Sequence, residues 1–148
     1  MPKTEADLLR VTVLGEVKLN RLWASETLIT GFAEVTDTQN GCFRFSAALE
    51  RTAQKECRLP RQYESHILVE GQQLFTSEVF GKPGYCQLSE SAPVELQRGA
   101  ENGSEIGAFS GLLNPIKLDG LQAKVDEYMP FGLIPIFVLE TQEADYDN

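Results

Sequence analysis

The stretch VTVLGEVKLN at residues 11–20 decides the fold class. Its odd positions carry apolar or small side chains, and its even positions are polar except at Leu14. Successive side chains of a β-strand point to opposite faces, so this alternation predicts strand structure with one buried face.

The parity of the apolar positions changes further along the chain, to even numbers at residues 22–30 and back to odd numbers at 33–35. No strong turn dipeptide marks these changes before Asn40-Gly41, although hairpins usually depend on such turns. Short strands joined by modest bends are typical of a β-solenoid, in which each rung stacks on the one before. We therefore predict a mainly β fold, a short β-solenoid with a C-terminal helix and a final strand. An antiparallel meander is the alternative.

A single domain over residues 1–148 is expected from the length. Within it, residues 1–10 are predicted to be a frayed or docking end, and residues 47–55 to form two helical turns that end before Pro60. The segments of the domain are solenoid rungs at 11–46, an irregular β and loop region at 47–103, a helix-helix-strand unit at 104–139 and an acidic tail at 140–148. The side chains expected to point into the solenoid are Val13, Val17, Leu22, Leu28 and Val35.

The C-terminal third carries the clearest helix signal, at residues 116–129. Its apolar stripe consists of Leu118, Leu121, Val125 and Tyr128. Ser104, which is followed by Glu105, predicts the start of a shorter helix before it. The apolar run at 131–139 predicts a final strand, which Pro135 would confine to an edge or a bulge.

Charge and hydropathy exclude several classes of protein. The chain has 13 Lys and Arg against 22 Asp and Glu, a formal net charge of −9. Such an acidic balance disfavours a nucleic-acid-binding protein, which needs a basic surface. There is no apolar run of 18 residues to span a membrane as a helix, and residues 1–10 do not resemble a signal peptide. We expect a cytoplasmic protein, with any association with membranes arising through its partners.

The cysteines and the histidine do not form a recognisable catalytic or metal site. Cys42, Cys57 and Cys86 are too widely spaced for the paired ligands of a zinc site, even with His66 as a fourth ligand. The sequence leaves open whether Cys42 and Cys57 are paired with each other. His66 follows Ser65 directly, and neighbouring strand side chains point to opposite faces, so we expect an exposed histidine rather than a catalytic one. No catalytic residue, metal or cofactor is predicted.

Carboxylates in the C-terminal third support an alternative function, a carbohydrate-active or carbohydrate-binding β-helix domain. A glycosidase needs two carboxylates that face one cleft, with aromatic side chains nearby. The single tryptophan, Trp23, lies far away in sequence. The acidic residues in question are Glu101, Glu105, Asp119, Asp126 and Glu127.

Residues 109–137 contain more large apolar side chains than one helix and one strand need. An interface with a neighbouring subunit would explain this excess, and burial in the core of the domain is the alternative. The candidate interface residues are Phe109, Leu113, Tyr128, Phe131, Ile134 and Phe137.

Four sequence blocks, together with residues 11–31, resemble one known family. The blocks are NGCFRFS at 40–46, FTSEVFG at 75–81 with YCQL at 85–88, GAENGSEIGAF at 99–109 with Asn114-Pro115, and EYMPFGL at 127–133. They look like the C-terminal region of larger β-helical proteins that are encoded beside baseplate genes of phage-tail-like contractile injection systems. The block at 99–109 is the most specific, whereas residues 46–63 contain less Arg and Tyr than the family pattern.

The resemblance implies a structural subunit in or around the baseplate of a contractile injection system. Such a subunit acts by assembly with other subunits of the particle, in several copies, rather than by catalysis. The family brings no catalytic residue to this sequence.

Overall fold

The structure is a computed structural model that describes residues 4–49 and 58–137. The strands are β1 (Glu5–Leu9), β2 (Thr12–Val13), β3 (Val17–Leu19), β4 (Arg21–Ser25), β5 (Leu28–Ile29), β6 (Ala33–Val35), β7 (Gly41–Arg44), β8 (Ala47–Leu49), β9 (Gln62–Tyr63) and β10 (His66–Leu68). Helix α1 (Val94–Gln97), a 3-10 turn (Ser110–Leu112) and helix α2 (Asn114–Tyr128) follow.

The strands form three parallel sheets, and within each sheet the strands come from successive turns of the chain. The first sheet has the order β1-β4-β7-β9, the second β10-β8-β5-β2 and the third β3-β6. Thr12 pairs with Leu28 sixteen residues later, and Leu28 pairs with Ala47 nineteen residues later. Parallel pairing of successive turns confirms the β-solenoid, because a meander would pair its strands antiparallel.

The solenoid extends beyond both ends of the predicted range 11–46. Strand β1 pairs with β4 along its whole length, so the first residues are not a frayed end where the structure describes them. Ala47 to Leu49 form strand β8 between β5 and β10, so the helix predicted from Ala47 is wrong at its start. The rest of that prediction, residues 50–55, lies outside the described residues.

Each strand of the first sheet is followed by a corner residue in the left-handed backbone conformation. None of these corner residues is glycine: they are Arg10, Glu26, Phe45 and Glu64, with φ between 46° and 55°. A non-glycine residue pays about 1–2 kcal/mol for this conformation. The stacking of the corners offsets that cost, since the N–H of Arg10 donates to the carbonyl of Ser25 and the N–H of Glu26 to that of Arg44.

The corner at Glu26 changes the parity that faces the solenoid interior. Before the corner Leu22 points inward, and after it Ile29 does; both are fully buried in the main core. Leu28 lies on the opposite face of β5 and packs in a second core outside the solenoid. Leu28 is therefore buried as expected, but the prediction that it points inward is wrong.

The other predicted core residues lie in or against the main core. Val35 is fully buried there, and Val13 and Val17 are half-buried against it. The second core joins the outer face of the second sheet to the chain that follows the solenoid. Its buried members are Leu28, Ala47, Leu68, Leu74, Phe75, Leu96 and Ile106.

Ion pairs connect successive rungs at the solenoid surface. Arg21 contacts Glu5 on one side and Asp37 on the other, both at 2.9 Å, and Lys18 contacts Glu34 at 3.0 Å. Hydrogen bonds from Asn40 and Arg21 lower the pKa of Asp37 to about 2. Each pair contributes little by itself because it is exposed, but the pairs favour this stacking register over others.

Helix α2 begins two residues earlier and ends one residue earlier than predicted, and its apolar stripe is not a buried face. None of its residues is buried: Leu118 and Val125 are half-buried, and Leu121 and Tyr128 are exposed. Residues 131–137 are not a strand, so that prediction is wrong where the structure describes it. Pro130 and Pro135 lack the N–H that a ladder needs. Residues 138–139 lie outside the described residues.

Gly31 lies at a close approach between two turns of the chain. A Cβ atom at this position would lie 2.4 Å from the backbone carbon and oxygen of Gly15. Backbone cannot move aside as a flexible side chain can, so only glycine fits this point of contact between rungs.

We expect Gly31→Ala to lower the free energy of unfolding by about 1–3 kcal/mol, because the methyl group overpacks the contact with Gly15. The matched control is Gly120→Ala in the exposed part of α2, where a Cβ would meet nothing within 4 Å. It should raise stability by up to about 1 kcal/mol. Urea denaturation followed by circular dichroism measures both, and an unchanged midpoint for Gly31→Ala would contradict the predicted contact.

Leu28→Ala should cost about 2–5 kcal/mol, since it leaves a cavity in the second core. Ile29→Ala removes a neighbouring side chain from the main core and should cost a similar amount. Thermal unfolding of the two variants measures both losses. A negligible loss for Leu28→Ala would show that the second core is not packed as described.

Candidate functional site

The block at residues 99–109 packs across the corner between the first and second sheets. The helix predicted to start at Ser104 is absent, because the N–H groups that would begin it have distant partners. Ile106 donates to the carbonyl of Leu96 at 2.8 Å, and Gly107 donates to the carbonyl of Glu26 at 3.0 Å. Ser104 is fully buried, and its hydroxyl has no hydrogen-bond partner in the part of the chain that the structure describes.

Glu26 is the residue through which this block contacts the solenoid corner. Its buried carboxylate forms an ion pair with Arg10 and accepts a hydrogen bond from the N–H of Glu101 at 3.2 Å. A buried carboxylate is tolerated only when it is paired and hydrogen-bonded, as here. The block is thus attached at a place that depends on two rungs being stacked.

A second attachment lies at Thr12, whose hydroxyl oxygen accepts a hydrogen bond from the N–H of Ala108 at 2.9 Å. Gly107 makes this approach possible. Its φ is +113°, and a Cβ there would lie 2.5 Å from the Thr12 hydroxyl oxygen. Gly107 therefore has a steric role at the solenoid surface.

A cavity of about 510 Å³ lies beside the block, against the first turns of α2. This volume is in the range of small-molecule sites. Its walls combine aliphatic side chains, amides, hydroxyls and four charged groups. The lining residues are Thr76, Gln87, Leu88, Ser89, Glu90, Gln97, Arg98, Glu105, Asn114, Pro115, Lys117, Leu118 and Leu121.

Glu105 is the most deeply placed charged group of this cavity, with only 5% of its surface exposed. Its Oε1 accepts a hydrogen bond from the side-chain amide of Asn114 at 3.1 Å. Burial raises the pKa of Glu105 above its ordinary value of 4.5, and the bond from Asn114 opposes that rise only in part. Displaced pKa values of this kind cluster at functional sites, which makes the cavity the candidate site of the molecule.

Two other polar residues of the cavity form side-chain hydrogen bonds within the protein. The amide nitrogen of Gln97 donates to the carbonyls of Glu90 and Ala92, at 3.1 and 2.7 Å. Arg98 donates to both carboxylate oxygens of Asp119, at 2.9 and 2.8 Å. The side-chain oxygen of Gln97 and the carboxylate of Glu105 keep capacity as hydrogen-bond acceptors, and the ion pair with Asp119 compensates the charge of Arg98.

The residues considered for metal binding do not form a cluster in the described part of the chain. Cys42 and Cys86 are half-buried free thiols, and Cys57 lies outside the described ranges, so the Cys42–Cys57 pair is untested. Across residues 4–49 and 58–137 no group of three His, Cys, Asp or Glu side chains is placed to hold a metal. His66 is half-buried rather than exposed: its Nε2 lies 2.9 Å from where a Cβ on Gly99 would be.

The carboxylates considered for a carbohydrate site lie in different parts of the structure. Glu105 lines the cavity, and Asp119 is paired with Arg98 at its edge. Asp126 and Glu127 are exposed on the far half of α2. Trp23 belongs to β4, in the first sheet, and is 38% exposed, and the cavity lining contains no aromatic side chain to stack on a sugar ring.

The six candidate interface residues fall into two groups. Tyr128, Phe131 and Ile134 are at least 85% exposed. Phe109, Leu113 and Phe137 are half-buried. Leu133 and Ile136 are also exposed, although the sequence did not single them out as interface residues.

Comparison of the chain with protein-family models, with curated proteins and with solved structures finds no match. In the described ranges, no helix combines the length and the apolar character needed to cross a membrane.

Sequence reasoning counted Glu105 among several carboxylates but missed its burial and its cavity. Two signals were available. Glu105 directly precedes the apolar Ile106 in a block rich in glycine, and Asn114 precedes a proline that starts a helix. Neither signal indicates by itself that the two side chains meet.

Glu105→Gln should raise the melting temperature at pH 7–8, since it keeps an acceptor for Asn114 and removes a carboxylate that burial destabilises. Below about pH 4.5 the carboxyl is protonated in the folded and unfolded states, so the difference should vanish there. As the pH rises above this value the unfolded state ionises first, and the wild type loses stability that the variant keeps. Calorimetry at pH 4 and pH 8 measures the difference in melting temperature between the variant and the wild type. A variant less stable than the wild type at pH 8 would contradict the prediction.

Proposed function

We propose that this chain is a structural subunit of a contractile injection system, in or around the baseplate, and that it acts by assembly rather than by catalysis. The family resemblance of the sequence suggests the particle. The observation that carries the proposal is the exposure of five large apolar side chains within residues 128–136. They are Tyr128, Phe131, Leu133, Ile134 and Ile136, exposed by 60% or more. We call residues 128–136 the apolar arm.

Single exposed apolar residues are ordinary on a protein surface, but a group of this density marks a contact site. The arm lies at the end of α2, and the side-chain hydrogen bond and ion pair that join α2 to other described residues lie in the first half of the helix. There Asn114 bonds to Glu105 and Asp119 to Arg98. An arm held at one end and apolar at the other suits insertion between neighbouring subunits.

The solenoid supports the proposal by providing a rigid body from which the arm extends. Its rungs are fixed by parallel ladders, stacked corners and ion pairs between turns. The first rung also leaves one edge of β1 without a partner strand among the described residues. Unpaired strand edges accept further strands, and a neighbouring subunit could supply them.

The particle would assemble in the cytoplasm from several copies of its subunits, and the arm would contact other proteins of the baseplate. Aromatic and aliphatic anchors that insert into pockets dominate the energy of such contacts. Phe131, fully exposed, and Ile134 are the strongest anchors of the arm. Phe137 is a weaker candidate because it is half-buried in the chain itself.

The test is co-expression with the baseplate proteins of a contractile injection system, followed by sedimentation of the assembled particle. We expect the double variant Phe131→Ser with Ile134→Ser to leave the melting temperature nearly unchanged and to reduce recovery in the particle at least tenfold. The matched control is Phe80→Ser with Ile67→Ser, which removes two exposed side chains far from the arm in sequence.

The control variant should be recovered in the particle like the wild type. Equal recovery of the arm variant and the wild type would overturn the role of the arm. A wild-type chain that never enters the particle would overturn the function itself.

A further inference from the structure

We propose that the cavity beside Glu105 binds an alkylammonium or alkylguanidinium group, with the Glu105 carboxylate as its counter-ion. This inference is separate from the assembly function, because it concerns a site that shares no residue with the apolar arm. The cation could belong to a free amine or to a lysine or arginine side chain of a partner.

The charge at the deepest point of the cavity is the first argument. Glu105 is almost completely buried, and one of its two oxygens is bonded to Asn114. The other oxygen, Oε2, has no hydrogen-bond donor among the residues that the structure describes. A buried carboxylate without an ion-pair partner costs stability, and a cationic ligand would supply that partner.

The direction of the remaining hydrogen bonds is the second argument. Gln97 uses its amide N–H groups on two backbone carbonyls, and Arg98 is bonded to Asp119. The side-chain oxygen of Gln97 and the second oxygen of Glu105 remain as acceptors, so a ligand that contacts both must bring donors. An ammonium group has three donors and no acceptor, and a guanidinium has five.

The shape and the surrounding charge are the third argument. Leu88, Leu118 and Leu121 give the cavity aliphatic walls, which suit the hydrocarbon stem of an amine. Lys117 is the one lining cation without an ion pair in the described ranges, and the lining also contains the carboxylates of Glu90 and Glu105. The net charge of −9 over the whole chain also attracts cations rather than anions.

The experiment titrates the full chain with small probes and follows amide chemical shifts by NMR. The cationic probes are n-butylammonium, as the free amine, and Nα-acetyl-lysine amide, as the lysine side chain of a partner. The matched probes are n-butanol, which has the same stem without charge, and butyrate, which has the opposite charge. We expect both cations to shift the amides around Glu105 and Asn114, and the matched probes to bind at least tenfold more weakly.

Two variants of equal charge change test the role of Glu105. Glu105→Gln should weaken binding of the cations at least tenfold, whereas Asp126→Asn, on the far half of α2, should leave binding unchanged. A folded Glu105→Gln protein, checked by its melting temperature, excludes unfolding as the cause of the loss.

The two cationic probes distinguish the sources of the ligand. Tighter binding of the blocked lysine indicates a side chain of a partner, and tighter binding of the simple amine indicates a free metabolite-like amine. Equal binding of butanol, or unchanged binding to Glu105→Gln, would overturn the proposal. None of these outcomes depends on entry of the chain into a particle, so failure here and failure of the assembly function are distinguishable.

Discussion

The stacking of one left-handed corner on the next is the constraint on which the rest of this structure depends. Each corner ends a strand of the first sheet and starts the turn to the second sheet. The N–H of one corner residue donates to the chain of the following rung, so no corner can move without its neighbour. The conformational cost of four non-glycine residues at positive φ is tolerable only because the ladders on both sides stay intact.

The corner at Glu26 also binds the chain that follows the solenoid. The carboxylate and the carbonyl of this one residue accept bonds from Glu101 and Gly107. The block at 99–109 is thereby placed on the outer face of the second sheet, and the second core closes beneath it. The cavity beside Glu105 lies where this block and α2 meet. Because the stacked rungs position the block, they also determine the geometry of the candidate site.

Glu105 is a buried carboxylate that lowers the stability of the folded chain. A neutral amide would fill its place at lower cost, since burial disfavours the carboxylate and raises its pKa. Costly groups of this kind persist where they meet a ligand. The apolar arm has the same character at the surface. Its exposed side chains add no burial of apolar surface to this chain, and contact with a partner would bury them.

The solenoid was predictable from residues 11–46 because a period of two with shifting parity appears directly in the sequence. The predicted fold class and the predicted strand after Asn40-Gly41 were correct for this reason. The helix near 116–129 was predicted correctly from its own apolar stripe and the prolines beside it. Strand β1 was missed because two of its five residues, Glu5 and Asp7, are acidic, which favoured an exposed end of the chain. The final strand was wrong because an apolar run of this length does not show whether a neighbouring strand exists to pair with it.

What the sequence determined by itself is local: side-chain alternation, the turn at Asn40-Gly41, and the prolines that bound α2. Tertiary structure alone decided that Leu28 faces outward while Ile29 faces inward, because the left-handed corner at Glu26 rotates the chain between them. It also decided that the N–H groups after Ser104 bind distant carbonyls instead of starting a helix. Hydrogen bonds between residues far apart in the chain compete with local ones, and their partners are present only once the rungs are stacked.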